Sequence, residues 1–427
     1  MEYSCTTLDN GLRVVSVPMP HHHGCEVLVT LGVGSRHEPR HRAGISHFLE
    51  HMLFKGTADF PSGLELERAF EAVGGSANAA TDSESTTFHS RIHPAHLEDG
   101  IALFASLLLR PQFNDIELER RVILEEALGD LNENGRQINP DNIVARLLFA
   151  DHPLGQPTVG SRWAIERLGL SHFRQYHGRH YVPGNAVLAV AGPVTHELVV
   201  AAVRHSFSEW QGPEPPAAKP WAGREQNSPL LRWVRDAGSQ VSLQLAFLLP
   251  GRDSEHAVHL RVLRRLLSWG GMSRLMLRLR EQLGLTYAVE ATLAQYDDVG
   301  LLAVDLAVSP GNCLAAAIAT LDEFGRLRHE RIPDHELDHL LNSYRFDLEY
   351  SRDQVDEMAL RYAWCELSGC QRTIAADLAD LNRVTAEGLQ ATARELFTPE
   401  RLCCVAVGPY RSAERREVDS FVAAWSP

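Results

Sequence analysis

Residues 44–57 read GISHFLEHMLFKGT, and the arrangement of polar and apolar side chains in this stretch decides how the rest of the chain is understood. His47 and His51 are four apart, so on an α-helix their imidazoles project from one face, about 40° apart around the axis. Glu50 falls on the same side, roughly 60° from His47. Phe48, Leu49, Met52 and Leu53 occupy the opposite arc and are expected to anchor the helix in a core. Two imidazoles and one carboxylate at H-x-x-E-H spacing supply two neutral nitrogen ligands and an adjacent base, the pattern of a catalytic zinc helix.

Such a zinc takes three protein ligands and keeps one position open, so a third ligand must come from elsewhere. Residues 115–130, DIELERRVILEEALGD, predict a second helix, with acidic residues at its start and no Gly or Pro before Gly129. Glu119 and Glu126, seven apart, fall within about 20° on one face of it. Glu126 is the expected third ligand. Glu119 is suited to accept a proton from a ligand imidazole and so fix its tautomer. A competing match, HELDH at 335–339 with Glu357 downstream, has the commoner H-E-x-x-H order. Pro333-Asp334 reads as a helix start, which leaves His335 in a frayed first turn on a charged face, and this argues against it. In the run His21–His23 adjacent side chains diverge, which makes it a weaker candidate still.

With 427 residues the chain exceeds what one core usually supports. Apolar residues make up 44% and charged residues 22%, enough for large cores. A net charge of −14 argues against nucleic-acid or anionic-membrane partners, which need a basic face. The seven cysteines show no CxxC spacing, so neither a disulfide framework nor a thiolate zinc site is expected. Neither a signal peptide nor an apolar run of membrane-spanning length is visible, and the expected compartment is the reducing cytoplasm.

Residues 212–229, GPEPPAAKPWAGREQNSP, are proline-rich and predict a linker between a domain at 1–211 and a domain at 230–427. Each half opens with β-type runs, LRVVSVP and CEVLVTLGVG in the first, LLRWVRD and VSLQLAFLL in the second, and passes into a helical region. The expected fold is α+β: two similar domains, each a mostly antiparallel sheet packed with helices, related by duplication.

The chain resembles the insulinase-like, or mitochondrial processing peptidase-like, family of inverted zinc-motif metallopeptidases (peptidase family M16), in its short two-domain bacterial form. The resemblance rests on GSRHEP, AGISHFLEHMLFKGT, GGSANAATDSESTTFHS, VILEEAL, HPLGQPTVG and YVPGNAVLAVAG in the first half. In the second it rests on WGGMSRLMLRLREQLGLTYAV. It implies the LuxS/MPP-like metallohydrolase fold and one zinc ion per chain, with His47, His51 and Glu126 as ligands, Glu50 as base and Glu119 behind a ligand. It further implies that Asn78 and Ala79 lie on an edge strand that receives substrate backbone. Arg280 and Tyr287 would engage the substrate near the scissile bond.

The implied activity is zinc-dependent endopeptidase action on short or unfolded peptides inside a chamber closed by two chains. Because this sequence carries both the zinc set and the Arg/Tyr pair, a homodimer is expected, a heterodimer with a related subunit being the other arrangement. Other readings stay open: a non-catalytic peptide-binding or structural subunit of the same fold, or a non-haem iron site built from two histidines and a carboxylate.

Overall fold

The computed structural model describes residues 2–223, 226–370 and 372–426. Arg224 and Glu225, inside the expected linker, lie outside the described residues. The rest of that stretch, 212–223 and 226–229, forms neither helix nor strand, as its prolines dictate.

The first sheet is built from β1 (Ser4–Thr7), β2 (Arg13–Pro18), β3 (Cys25–Leu31), β4 (Asn78–Thr81), β5 (Thr86–Ile92) and β6 (Ala186–Gly192), in the order β1-β2-β6-β3-β5-β4. Only β2 and β6 run parallel. The most continuously apolar segments take the centre, where every residue of β3 and β6 is buried. β4, with the sequence NAAT, ends the sheet and alternates between exposed and half-buried residues.

One face of this sheet carries α1 (Ile45–Leu53), α2 (Gly63–Val73), α3 (Leu97–Leu109) and α4 (Ile116–Leu128). Phe48, Leu49, Met52 and Leu53 of α1 are fully buried in a core shared with Val27, Val29, Phe88 and Phe104. At about 1.5–3 kcal/mol for each large apolar side chain taken from water, this arc fixes the rotation of α1 and therefore the direction of its polar face.

The second sheet contains β7 (Leu230–Arg235), β8 (Val241–Pro250), β9 (Val289–Gln295), β10 (Val299–Val308) and β11 (Leu402–Gly408), ordered β7-β11-β8-β10-β9. Strand for strand this repeats β2-β6-β3-β5-β4. The single parallel pair, β7 with β11, stands where β2 and β6 stand in the first sheet. Phe247 of β8 packs against Phe324 and Phe397, with ring centroids 4.7 and 5.2 Å away.

The compact units differ from the two consecutive blocks expected. One unit comprises Met1–Ala127, Gln156–Lys219 and Asp347–Asp377; the other comprises Leu128–Gly155, Pro220–Phe346 and Leu378–Pro427. The reason is that the central strands β3 and β6 of the first sheet and β11 of the second are buried at every residue, so each sheet takes a cover on both faces. In the first unit the helix Val355–Ser368 packs on β6, β3 and β2, burying Val355, Met358, Ala359, Tyr362 and Ala363 over Leu28 and Thr30. In the second, α5 (Pro140–Phe149) packs on β8 and β11 through Ile143, Val144, Leu148 and Phe149. Among the described residues no helix is long and apolar enough to cross a membrane.

Candidate metal centre

The helix that carries the two histidines starts at an unusually crowded point. Gly44, its N-cap, has φ +94°, and a Cβ there would lie 2.4 Å from the Val159 carbonyl oxygen and 2.8 Å from the Gly160 Cα. Glycine is required both by the left-handed backbone and by the contact. No N-cap side chain caps α1. Instead the buried Glu38 carboxylate accepts hydrogen bonds from the Gly44 and Ser46 amides, at 2.6 and 2.7 Å. Burial pushes the Glu38 carboxyl up to about 8, while these hydrogen bonds pull the other way.

α4 is brought alongside by Arg120. Its guanidinium donates to the Ile165 and Leu168 carbonyls and lies 5.6 Å from the centroid of the Phe48 ring on α1. Glu119 and Glu126 thereby face the histidines.

His47 Nε2 and His51 Nε2 are 3.2 Å apart, His47 Nε2 and Glu126 Oε1 3.6 Å, and His51 Nε2 and Glu126 Oε2 4.0 Å. Two ligands of one tetrahedral zinc, each about 2.0–2.1 Å from it, lie about 3.3 Å from one another. The two imidazole nitrogens therefore stand at the spacing that this ion needs, and the Glu126 carboxylate, within 4.8 Å of both, offers the third donor. Among the described residues no other group of three His, Cys, Asp or Glu side chains converges in this way. The competing HELDH segment forms no such group among the described residues, and its Glu336 is held by Arg274 in a two-pronged ion pair at 2.8 and 2.7 Å.

The electrostatics suit a cation. Burial, with a smaller contribution from His51, pushes His47 down to about 4, so its imidazole is neutral and able to ligate. His51 Nδ1 lies 2.8 Å from Glu119 Oε1, and Lys55 Nζ lies 2.5 Å from Glu119 Oε2. Burial alone raises the Glu119 carboxyl, but hydrogen bonds from Lys55 and His51, and their charges, hold it below the usual range. Glu50 is 8% exposed, and burial raises its carboxyl against the hydrogen bond from the Thr81 hydroxyl and the field of His51.

The remaining expected residues are placed as follows. Asn78 and Ala79 open β4, at the free edge of the sheet, with Asn78 paired to His89 and Ala79 to Phe88 on β5. Arg280 and Tyr287 meet in the other unit, the guanidinium carbon 4.9 Å from the ring centroid, and Tyr287 is 82% exposed. Thr81, Lys55, Arg120 and Glu38 were not anticipated. Thr81 was within reach of the sequence, since two residues beyond Ala79 on a strand puts it on the same face, towards α1.

Residues 13–162 match the family model described as insulinase (peptidase family M16), and residues 167–344 match the one described as the peptidase M16 inactive domain. A Mycobacterium tuberculosis protein named an uncharacterized zinc protease is 34% identical over 416 residues, covering 95% of this chain and 93% of its own. A Bacillus subtilis protein, also named an uncharacterized zinc protease, is 30% identical over 403 residues, or 92% of this chain and 95% of its own. Among solved structures, a protease from Helicobacter pylori superimposes with a TM-score of 0.88 at 23% identity, over 95% of this chain and 99% of that one. That last likeness speaks to the fold alone. The agreement in sequence runs along nearly the whole chain and includes the segments that build the histidine–glutamate cluster, so the protein belongs to the insulinase family of peptidases, M16.

Proposed function

We propose that the protein is a zinc-dependent endopeptidase acting on short or unfolded peptides, with one zinc per chain held by His47, His51 and Glu126. The reading is carried by the convergence of those three side chains within 4.8 Å, beside Glu50 on the same helix. When bound, zinc supplies Lewis acidity, lowering the pKa of water towards about 7 and polarising a peptide carbonyl.

The chain's own residues do the rest. Glu119 holds the His51 proton on Nδ1, leaving Nε2 to ligate. Glu50, steadied by Thr81, takes a proton from the attacking water and passes it to the leaving amine. Its raised pKa suits both directions of that transfer. The free edge of β4 pairs with the substrate backbone as an added strand. Arg280 and Tyr287 contact the substrate from the second copy of a homodimer in the cytoplasm, the two chains together enclosing the peptide.

The direct test is metal analysis of the purified chain together with hydrolysis of an unstructured peptide, with and without a chelator, and its molar mass in solution. Cleavage that persists after zinc is stripped, or full activity as a monomer, overturns the corresponding part of the proposal.

A further inference from the structure

The first sheet has a cavity on the face away from α1. It measures about 640 Å³ and lies between the strands β3, β5 and β4 and the helix Val355–Ser368. Its floor includes Leu28, its far wall Leu360 and Trp364, and it reaches the free edge of the sheet at Ala80. Leu360 is 48% exposed, so this wall presents apolar surface to the cavity.

The charges around this cavity are unequal. Arg361 and Arg372 line it, yet both are engaged by the carboxylate of Asp377, at 2.8 and 3.1 Å. His89 is engaged by Glu26 at 2.8 Å. Asp356 and Glu357, exposed on the first turn of the helix, make no ion pair among the described residues. The cavity thus offers two carboxylates held by no ion pair, the charge of Asp356 reaching His89 as well, beside an apolar wall that includes an indole ring.

Strand geometry says what reaches it. Side chains of a strand project alternately to the two faces of its sheet, and Ala80 projects to the face opposite Thr81, which points to Glu50. A peptide paired along the open edge of β4 therefore sends every second side chain towards α1 and the others past the methyl of Ala80 into this cavity. We infer that the cavity is a substrate subsite for a lysine or arginine side chain, whose aliphatic stem lies along Leu360 and Trp364 and whose charged head is met by Asp356 and Glu357. Such a side chain matches the site in both halves: its stem covers exposed apolar surface, and its cation suits the carboxylates.

The inference rests on β4 receiving substrate, so the experiment separates the two claims. The zinc-loaded full-length chain is given unstructured peptides that differ only by Arg, Gln or Glu at successive positions around the cleaved bond. The unsubstituted chain is expected to prefer Arg over Gln at positions two apart, and not at the intervening ones. In Asp356→Asn with Glu357→Gln that ratio of kcat/KM should fall about five- to tenfold, as expected for two partly exposed charge contacts. Glu357→Lys should turn the preference towards Glu at the same positions, a reversal that misfolding cannot produce. Cleavage with a positional preference untouched by either variant overturns the subsite and leaves the peptidase standing. If the unsubstituted chain cleaves no peptide, the same comparison is made by binding of fluorescent Arg, Gln and Glu peptides to Glu50→Gln. Equal affinity for all three then overturns the subsite.

Discussion

His51 Nδ1 and Glu119 Oε1 are 2.8 Å apart, with the second oxygen of that carboxylate held by Lys55. This contact fixes which imidazole nitrogen carries the proton, and so directs the lone pair of Nε2 towards His47 and Glu126. Glu119→Ala should weaken zinc affinity about 10- to 100-fold, measured against a competing chelator. Affinity equal to that of the unsubstituted chain would mean that the packing of α1 alone orients the ring.

Glu50→Gln removes the base and leaves all three ligands in place. The protein should purify with its zinc and lose a hundred- to ten-thousandfold in turnover, roughly the range attributed to a positioned proton acceptor. Metal content and peptide cleavage measured on the same sample decide it, and hydrolysis at the normal rate would remove Glu50 from the mechanism.

Thr81 joins the base to the strand expected to carry the substrate. Thr81→Val keeps the shape but strips a hydrogen bond from a buried carboxylate, a loss on the order of 1.5–3 kcal/mol for a charged acceptor. The expected result is a kcat reduced about tenfold or more with KM little changed, and recovery in Thr81→Ser. A change confined to KM would place Thr81 with the substrate instead.

Burial pushes His37, His47 and His180 each down to about 4. In the unfolded chain each takes up a proton near pH 6.5, while in the fold each stays neutral until about pH 4. The stability they contribute is therefore fully present above pH 6.5 and is lost as pH falls to about 4, upwards of about 1 kcal/mol per group. The zinc-free protein should show a steep drop in its unfolding midpoint over that window. His37→Asn, whose amide oxygen can still accept the Gly34 amide hydrogen bond, should make the drop shallower.

Gly44→Ala places a methyl group 2.4 Å from the Val159 carbonyl oxygen at a backbone φ of +94°. Steric and dihedral strain together should destabilise the chain by about 2 kcal/mol or more. Because the displaced segment is the start of α1, zinc content should fall with the unfolding midpoint. A variant with normal zinc and normal stability would show that the Gly160 loop yields easily.

The helix that carries the two histidines was legible in the sequence because it is local. Four apolar side chains on one arc and three polar ones on the other set its rotation, and the structure keeps that rotation. That Glu119 and Glu126 share one face of α4 was legible for the same reason. The contacts that hold the two helices together were not: Arg120 reaches carbonyls at 165 and 168, a pairing that no periodicity records. Glu38 was hidden because an N-cap is sought at the residue before the helix, and here the acceptor comes from six residues further back. The make-up of the units was the largest gap. A strand such as β3, buried along its whole length, states that both faces are covered, but not that the second cover comes from more than 300 residues downstream.

That distant cover has a consequence for synthesis. A nascent chain that has cleared the ribosome only through the proline-rich stretch already contains His47, His51, Glu126 and Glu50. Its first sheet would still present Leu28, Thr30, Ala189 and Ala191 to water, because residues 347–377 have yet to be translated. The first unit cannot finish folding until translation has passed Asp377, so gene fragments cut at the linker should yield an insoluble half rather than a miniature enzyme.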